Sequence, residues 1–94
     1  MSVFPEGVSG EYLGDGRARI STVVAPGEFS EVRVEWEVSR HRNFRTWLAH
    51  GVTSASKADG YQVRVEVDEL PADSRLYYRF KCNGEYSAQA QFRT

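Results

Sequence analysis

The sequence predicts an all-β domain, an antiparallel sandwich of short strands, and three observations carry that prediction. Eleven valines stand against four leucines and one isoleucine, alongside five Tyr and five Phe. Valine and the aromatics fit a pleated, half-buried surface. Three stretches alternate apolar and polar residues with period two, and glycine-containing turn dipeptides fall between the stretches.

The alternating stretches are explicit. Val32, Val34, Trp36 and Val38 alternate with Arg33, Glu35 and Glu37; Tyr61, Val63, Val65 and Val67 alternate with Gln62, Arg64 and Glu66; Leu76, Tyr78, Phe80 and Cys82 alternate with Tyr77, Arg79 and Lys81. Alternation of this kind turns one set of side chains to a core and the other to water. A helix would set Val32 and Val34 about 200° apart, so these are not amphipathic helices. Four weaker strands complete a set of seven. Residues 17–24 place Ala18, Ile20, Thr22 and Val24 on one face, and residues 86–93 do the same with Tyr86, Ala88, Ala90 and Phe92. Residues 45–53 carry Trp47, Ala49 and Val52, with Gly51 suggesting a bulge, and residues 3–9 form an edge strand because Pro5 has no N–H to give a central ladder. The stretch from Arg42 to His50 is the one segment with any helical character.

Asp15-Gly16, Pro26-Gly27, Asp59-Gly60, Pro71 and Asn83-Gly84 separate the strands. Asn-Gly is the strongest two-residue hairpin signal, so strands six and seven form a tight hairpin. The expected core is Ile20, Val24, Val32, Val34, Trp36, Val38, Val63, Val65, Val67, Leu76, Tyr78, Phe80 and Phe92. The outward charges then pair across strands: Glu35 and Glu37 with Arg79 and Lys81, and Arg17 and Arg19 with Glu66 and Asp68.

Composition bounds the function. Ninety-four residues make one domain spanning 1–94, with no linker or repeat. Twelve Lys+Arg against thirteen Asp+Glu give a net charge of -1, which argues against a nucleic-acid binder working through a strongly basic surface. No apolar run approaches the roughly 18–20 residues of a membrane span, and Met1 to Pro5 does not read as a signal peptide. A single cysteine excludes an internal disulfide.

Few residues suggest chemistry. His41 and His50 are the only histidines and read as surface or loop residues, so no metal or other cofactor is expected. Cys82 lies on the apolar phase of its strand, where a free thiol packs as a small hydrophobe. What the pairing scheme leaves over is a basic cluster, Arg40, His41, Arg42 and Arg45, with Trp47 just after it and Tyr77 out of phase with its strand's core. These six residues are the candidate contact patch for a partner, either an acidic or neighbouring domain or a glycan on which an aromatic ring could stack.

The order of short motifs is similar to that of a known family. Phe4-Pro5-Glu6-Gly7-Val8-Ser9-Gly10, Val34-Glu35-Trp36-Glu37-Val38, Asn43-Phe44-Arg45, His50-Gly51-Val52-Thr53, Tyr61 to Val67, Leu70-Pro71, Tyr77-Tyr78-Arg79-Phe80, Gly84 to Ser87 and Phe92-Arg93-Thr94 together resemble the N-terminal domain of PhoD-like alkaline phosphatases. The resemblance covers nearly the whole chain. It implies a seven-stranded immunoglobulin/fibronectin III-like sandwich that precedes a catalytic metallophosphoesterase domain in the same parent chain, with metal ligands and catalytic residues in that second domain. Thr94 falls about where the interdomain linker of such proteins begins. The resemblance also implies an extracellular, periplasmic or cell-wall location. Departures are Ser9-Gly10-Glu11-Tyr12 in place of Ser-Gly-Asp-Pro, Ser21 where the family carries Trp, and Leu76 where fibronectin-like domains often carry a corner tyrosine.

The expected function is therefore a non-catalytic accessory domain that packs on or positions a phosphatase or phosphodiesterase domain. The alternatives are an independent protein- or glycan-binding module and an engineered scaffold, although the loops at 25–30, 40–44 and 54–60 lack the Tyr/Ser/Gly enrichment of a selected paratope.

Overall fold

The computed structural model describes residues 3–94. Among them lie eight strands: β1 (Val8–Gly14), β2 (Arg17–Val23), β3 (Glu31–Ser39), β4 (Ala49–Ser56), β5 (Gln62–Val67), β6 (Arg75–Cys82), β7 (Glu85–Tyr86) and β8 (Ala90–Arg93). They form two antiparallel sheets. One has the order β1-β2-β5; the other runs β4-β3-β6-β7, with β8 also paired to β6.

The inward residues of both sheets make one core: Ala18, Ile20, Val24, Val34, Val38, Val63, Val67, Leu76, Tyr78, Phe80, Cys82 and Phe92 are all buried. Three of the expected core residues are only half-buried, each for a positional reason. Val65 lies on β5, an edge strand; Val32 lies near the start of β3; Trp36 sits beside the edge strand β4. Phe4, Ala55 and Leu70 join the core in addition. Leu76 is fully buried, so the position at which fibronectin-like domains often carry a corner tyrosine supplies core volume instead.

Five expectations need correction. The first strand is Val8–Gly14 rather than 3–9. Pro5 withholds a donor and Gly7 turns the chain with φ 73, so residues 3–7 lead in to the strand. The stretch from Arg42 to His50 contains no helix, and Trp47 precedes β4 rather than lying in it. Gly51 makes no bulge, because the β3–β4 register runs unbroken from Glu31↔Ser56 to Val38↔Ala49. Its role is space: a Cβ there would come within 2.8 Å of Cζ2 of Trp36, its register partner. Arg19 turns to Glu11 on β1 at 3.5 Å, while Arg17 reaches Glu66 at 3.8 Å and Asp68 joins neither pair.

The last correction concerns the C-terminal strand, which is two strands. Between the pairs Tyr78↔Ala90 and Lys81↔Tyr86, β6 advances three residues while the opposing chain advances four. One extra residue is a bulge, and it reverses which face the following residues meet. Ser87 closes the gap. Its N–H donates to the Phe80 carbonyl at 2.8 Å, its Oγ accepts the Phe80 N–H at 2.8 Å, and the hydroxyl donates to the Ala88 carbonyl at 2.8 Å. Phe92 and Ala90 therefore face inward while Tyr86 faces out beside Lys81. The hairpin leading into β7 turns at Asn83 and Gly84 as expected, with φ 51 and 77, the left-handed pair of a type I′ turn.

Candidate functional site

The outward face of the β4-β3-β6-β7/β8 sheet carries the features not explained by the core. The loop joining β3 to β4 lies down on that face. Ser39, fully buried, organises its start: the hydroxyl donates to the Thr46 carbonyl at 2.6 Å and accepts the His41 N–H at 2.9 Å. The Phe44 N–H donates to the His41 carbonyl at 3.0 Å, and the Arg45 N–H to Asn43 Oδ1 at 3.2 Å. Phe44 takes a left-handed backbone, φ 54, which turns its ring down onto the sheet.

Three loop side chains each rest on an outward strand residue. Arg42 lies over the Tyr77 ring at 5.6 Å, Phe44 lies under the Arg79 guanidinium at 4.2 Å, and Trp47 meets His50 with ring centres 4.5 Å apart. Arg79 is held on its other side by the Tyr86 ring at 3.9 Å and donates through Nε to Glu37 Oε1. A guanidinium stacked between two aromatic rings and bonded to a carboxylate is largely shielded from water. Glu37 and Arg79 expose 12% and 24% of their side chains.

The patch expected from sequence is thus assembled in part. Arg40, Arg42 and Arg45 are exposed, His41 is half-buried, Tyr77 lies beneath Arg42, and Trp47 points away toward His50. Three residues belong to the same surface and were not singled out: Phe44, Arg79 and Tyr86. Phe44 gave no periodic signal because it lies in a loop, and the bulge hid Tyr86.

This face divides into two zones. At one end, Arg42 lies over Tyr77, while Arg75 and Arg93 sit directly opposite each other across β6 and β8. Like charges in register repel, and neither takes part in an ion pair among the described residues. Toward β7, the face opens into a cleft of about 190 Å³ whose lining includes Trp47 and His50 on one side, Tyr86 and Lys81 on the other, and Glu35 and Glu37 between them. Net charge -1 conceals this polarity. By strand phase, eight of the twelve basic residues lie on this face or its loop (Arg33, Arg40, Arg42, Arg45, Arg75, Arg79, Lys81, Arg93), against three of the thirteen acids (Glu31, Glu35, Glu37).

The buried thiol of Cys82 is pushed above its usual pKa, first by burial and then by the nearby Glu85 carboxylate. A thiol so placed is a poor nucleophile. Among the described residues no three His, Cys, Asp or Glu side chains gather closely enough to hold a metal ion, and no helix is long and apolar enough to cross a membrane.

Comparison with known proteins decides the family. The model of the PhoD-like phosphatase N-terminal domain matches residues 2–94. The chain belongs to that family. The PhoD-like domain is 35% identical over 63 residues to alkaline phosphatase D of Bacillus subtilis (strain 168), a match covering 67% of the chain and 11% of that protein. It superposes on the solved structure of PhoD with a TM-score of 0.86 and 29% identity, covering 94% of the chain and 18% of PhoD. The PhoD-like domain therefore spans less than a fifth of either relative. Its fold is also that of the sensor domain of the anti-sigma factor RsgI4 of Pseudobacteroides cellulosolvens, with a TM-score of 0.68 at 16% identity, over 99% of the chain and 95% of that domain.

Proposed function

We propose that the chain is a non-catalytic accessory domain that packs on, and helps position, the catalytic metallophosphoesterase part of a PhoD-like phosphatase or phosphodiesterase. The observation that carries the reading is the family match over residues 2–94, together with the small share of each phosphatase that the domain occupies. The strand order, β1-β2-β5 against β4-β3-β6 with its C-terminal partner strands, fits a fibronectin III-like arrangement, a scaffold that serves other domains by its surface rather than by a deep cavity. Such a parent protein would act outside the cytoplasm or at the cell wall.

The contact we assign to that role is the basic end of the larger sheet: Arg40, His41, Arg42, Arg45 and Tyr77, with Trp47 at its margin. The exposed Arg40, Arg42 and Arg45 of the loop, with Arg75 and Arg93 on the same face by strand phase, complement an acidic surface. Two measurements test the proposal. Phosphomonoester and phosphodiester assays of the purified chain with Ca²⁺, Fe³⁺ or Zn²⁺ should give no turnover; metal-dependent turnover would overturn it. A separately prepared catalytic part of a PhoD-like phosphatase should shift the amide resonances of Arg40, Arg42, Arg45 and Tyr77 in the isotope-labelled chain, more weakly as salt rises. Absence of binding at low salt removes the packing role.

A further inference from the structure

We infer that the cleft between Trp47 and Tyr86 is a binding site for a neutral saccharide ring. The inference stands apart from the accessory role, since it concerns the β7 end of the face rather than its basic end.

The walls come first. Trp47 is 54% exposed and Tyr86 is 47% exposed, yet neither ring is loose. Trp47 is braced by His50 at 4.5 Å, and Tyr86 is stacked on Arg79 at 3.9 Å and approached by Lys81 at 5.1 Å. Arg79 is itself fixed by Phe44 and Glu37. Aromatic rings already held in place lose little freedom when a ligand arrives, which favours binding. They stand over β4 and on β7, three strand spacings or about 14 Å apart, which leaves room for a sugar ring stacked on either wall.

The floor selects the ligand class. Glu35 and Glu37 lie across from Lys81 and Arg79 in register, so the charges of the cleft cancel. An anion would meet the two carboxylates, and a quaternary cation would meet Arg79 and Lys81. A pyranose suits all the groups at once: its axial C–H face is apolar and stacks on an aromatic ring, while its hydroxyls both donate to Glu35 and accept from Lys81. The cleft is open to solvent along the sheet, which suits one ring of a longer chain. Val52, 52% exposed, extends the apolar rim beyond Trp47.

Chemical-shift titration of the isotope-labelled chain tests this, with cellotetraose and chitotetraose as neutral probes and a glycerol-phosphate oligomer as the charged one. At least one neutral probe should shift the Trp47 indole N–H and the amides of His50, Gly51 and Tyr86, with a Kd of about 1 mM. Trp47→Ala and Tyr86→Ala should each weaken binding by roughly tenfold or more. Circular dichroism and Tm of Trp47→Ala should stay near those of the parent chain; Tyr86→Ala also takes one ring from Arg79, so it should lower Tm while circular dichroism keeps the signature of the folded sheet. No localised shifts with either neutral probe at about 10 mM, shifts that persist in both variants, or response to the charged oligomer alone would each overturn the inference. Shifts confined to Arg40–Arg45 would likewise overturn it.

Discussion

On the outward face of the three-stranded sheet, Arg17 reaches Glu66 at 3.8 Å and Arg19 reaches Glu11 at 3.5 Å, with roughly half of every side chain in water. On the outward face of the other sheet, Arg79 bonds Glu37 with one ring above and one below it, and little of either side chain meets solvent. Both faces began as the same pattern, charges alternating with core residues along a strand. The difference is the cover. A loop folded onto one face displaces water and turns a weak surface pair into a shielded one, because solvent screening and side-chain freedom are what limit an exposed ion pair. A covered face is also where aromatic surface can be held rigid, and both candidate zones lie on it.

The strongest way to break this contrast is at its centre. Arg79→Ala leaves the poorly exposed Glu37 carboxylate without its partner, and should cost about 2–3 kcal/mol in urea unfolding, in line with losing a charged hydrogen bond of low exposure. Arg79→Lys should recover only part of that, since an ammonium lacks the planar face that stacks between two rings. An Arg79→Ala loss below about 0.5 kcal/mol would mean that the loop does not shield the pair.

Ser87→Ala sharpens the same point at the edge. It removes the acceptor of the buried Phe80 N–H at the bulge and should cost about 1–2 kcal/mol. Hydrogen exchange should rise at Phe80 and at the β7 amides, while β1, β2 and β5 keep their protection. Exchange that rises equally in both sheets would show that the bulge is not a local device.

The smallest effect belongs to the exposed face. A double-mutant cycle on Arg17 and Glu66 should return a coupling under about 0.5 kcal/mol that vanishes in molar salt. A coupling as large as that between Arg79 and Glu37 would erase the distinction between the faces.

How much of this was readable follows from what each feature depends on. The alternation of Val32 to Val38 and Leu76 to Cys82 located β3 and β6, and their outward charges foretold the Glu37–Arg79 pairing, because strand phase and strand neighbourhood were enough. The basic cluster and Trp47 stood out as residues without a structural task, and the short motifs in order pointed to the family. Periodicity places Tyr86 on the face of Phe92 because it assumes an unbroken ladder, and the bulge puts it on the other. Nothing in Glu85 to Gln91 announces a bulge except that Ser87 can bridge one. Phe44 was missed because its partner, Arg79, lies thirty-five residues away in the chain.

The sequence by itself therefore determined the class of fold, the composition of most of the core and the family, since these rest on local alternation, turn chemistry and the order of short motifs. The tertiary structure alone decided which face the β3–β4 loop covers, which side of the sheet Tyr86 meets, and that a near-neutral chain keeps seven of its ten arginines on one side. Those are consequences of register and of long-range packing, and a single inserted residue is enough to reverse them.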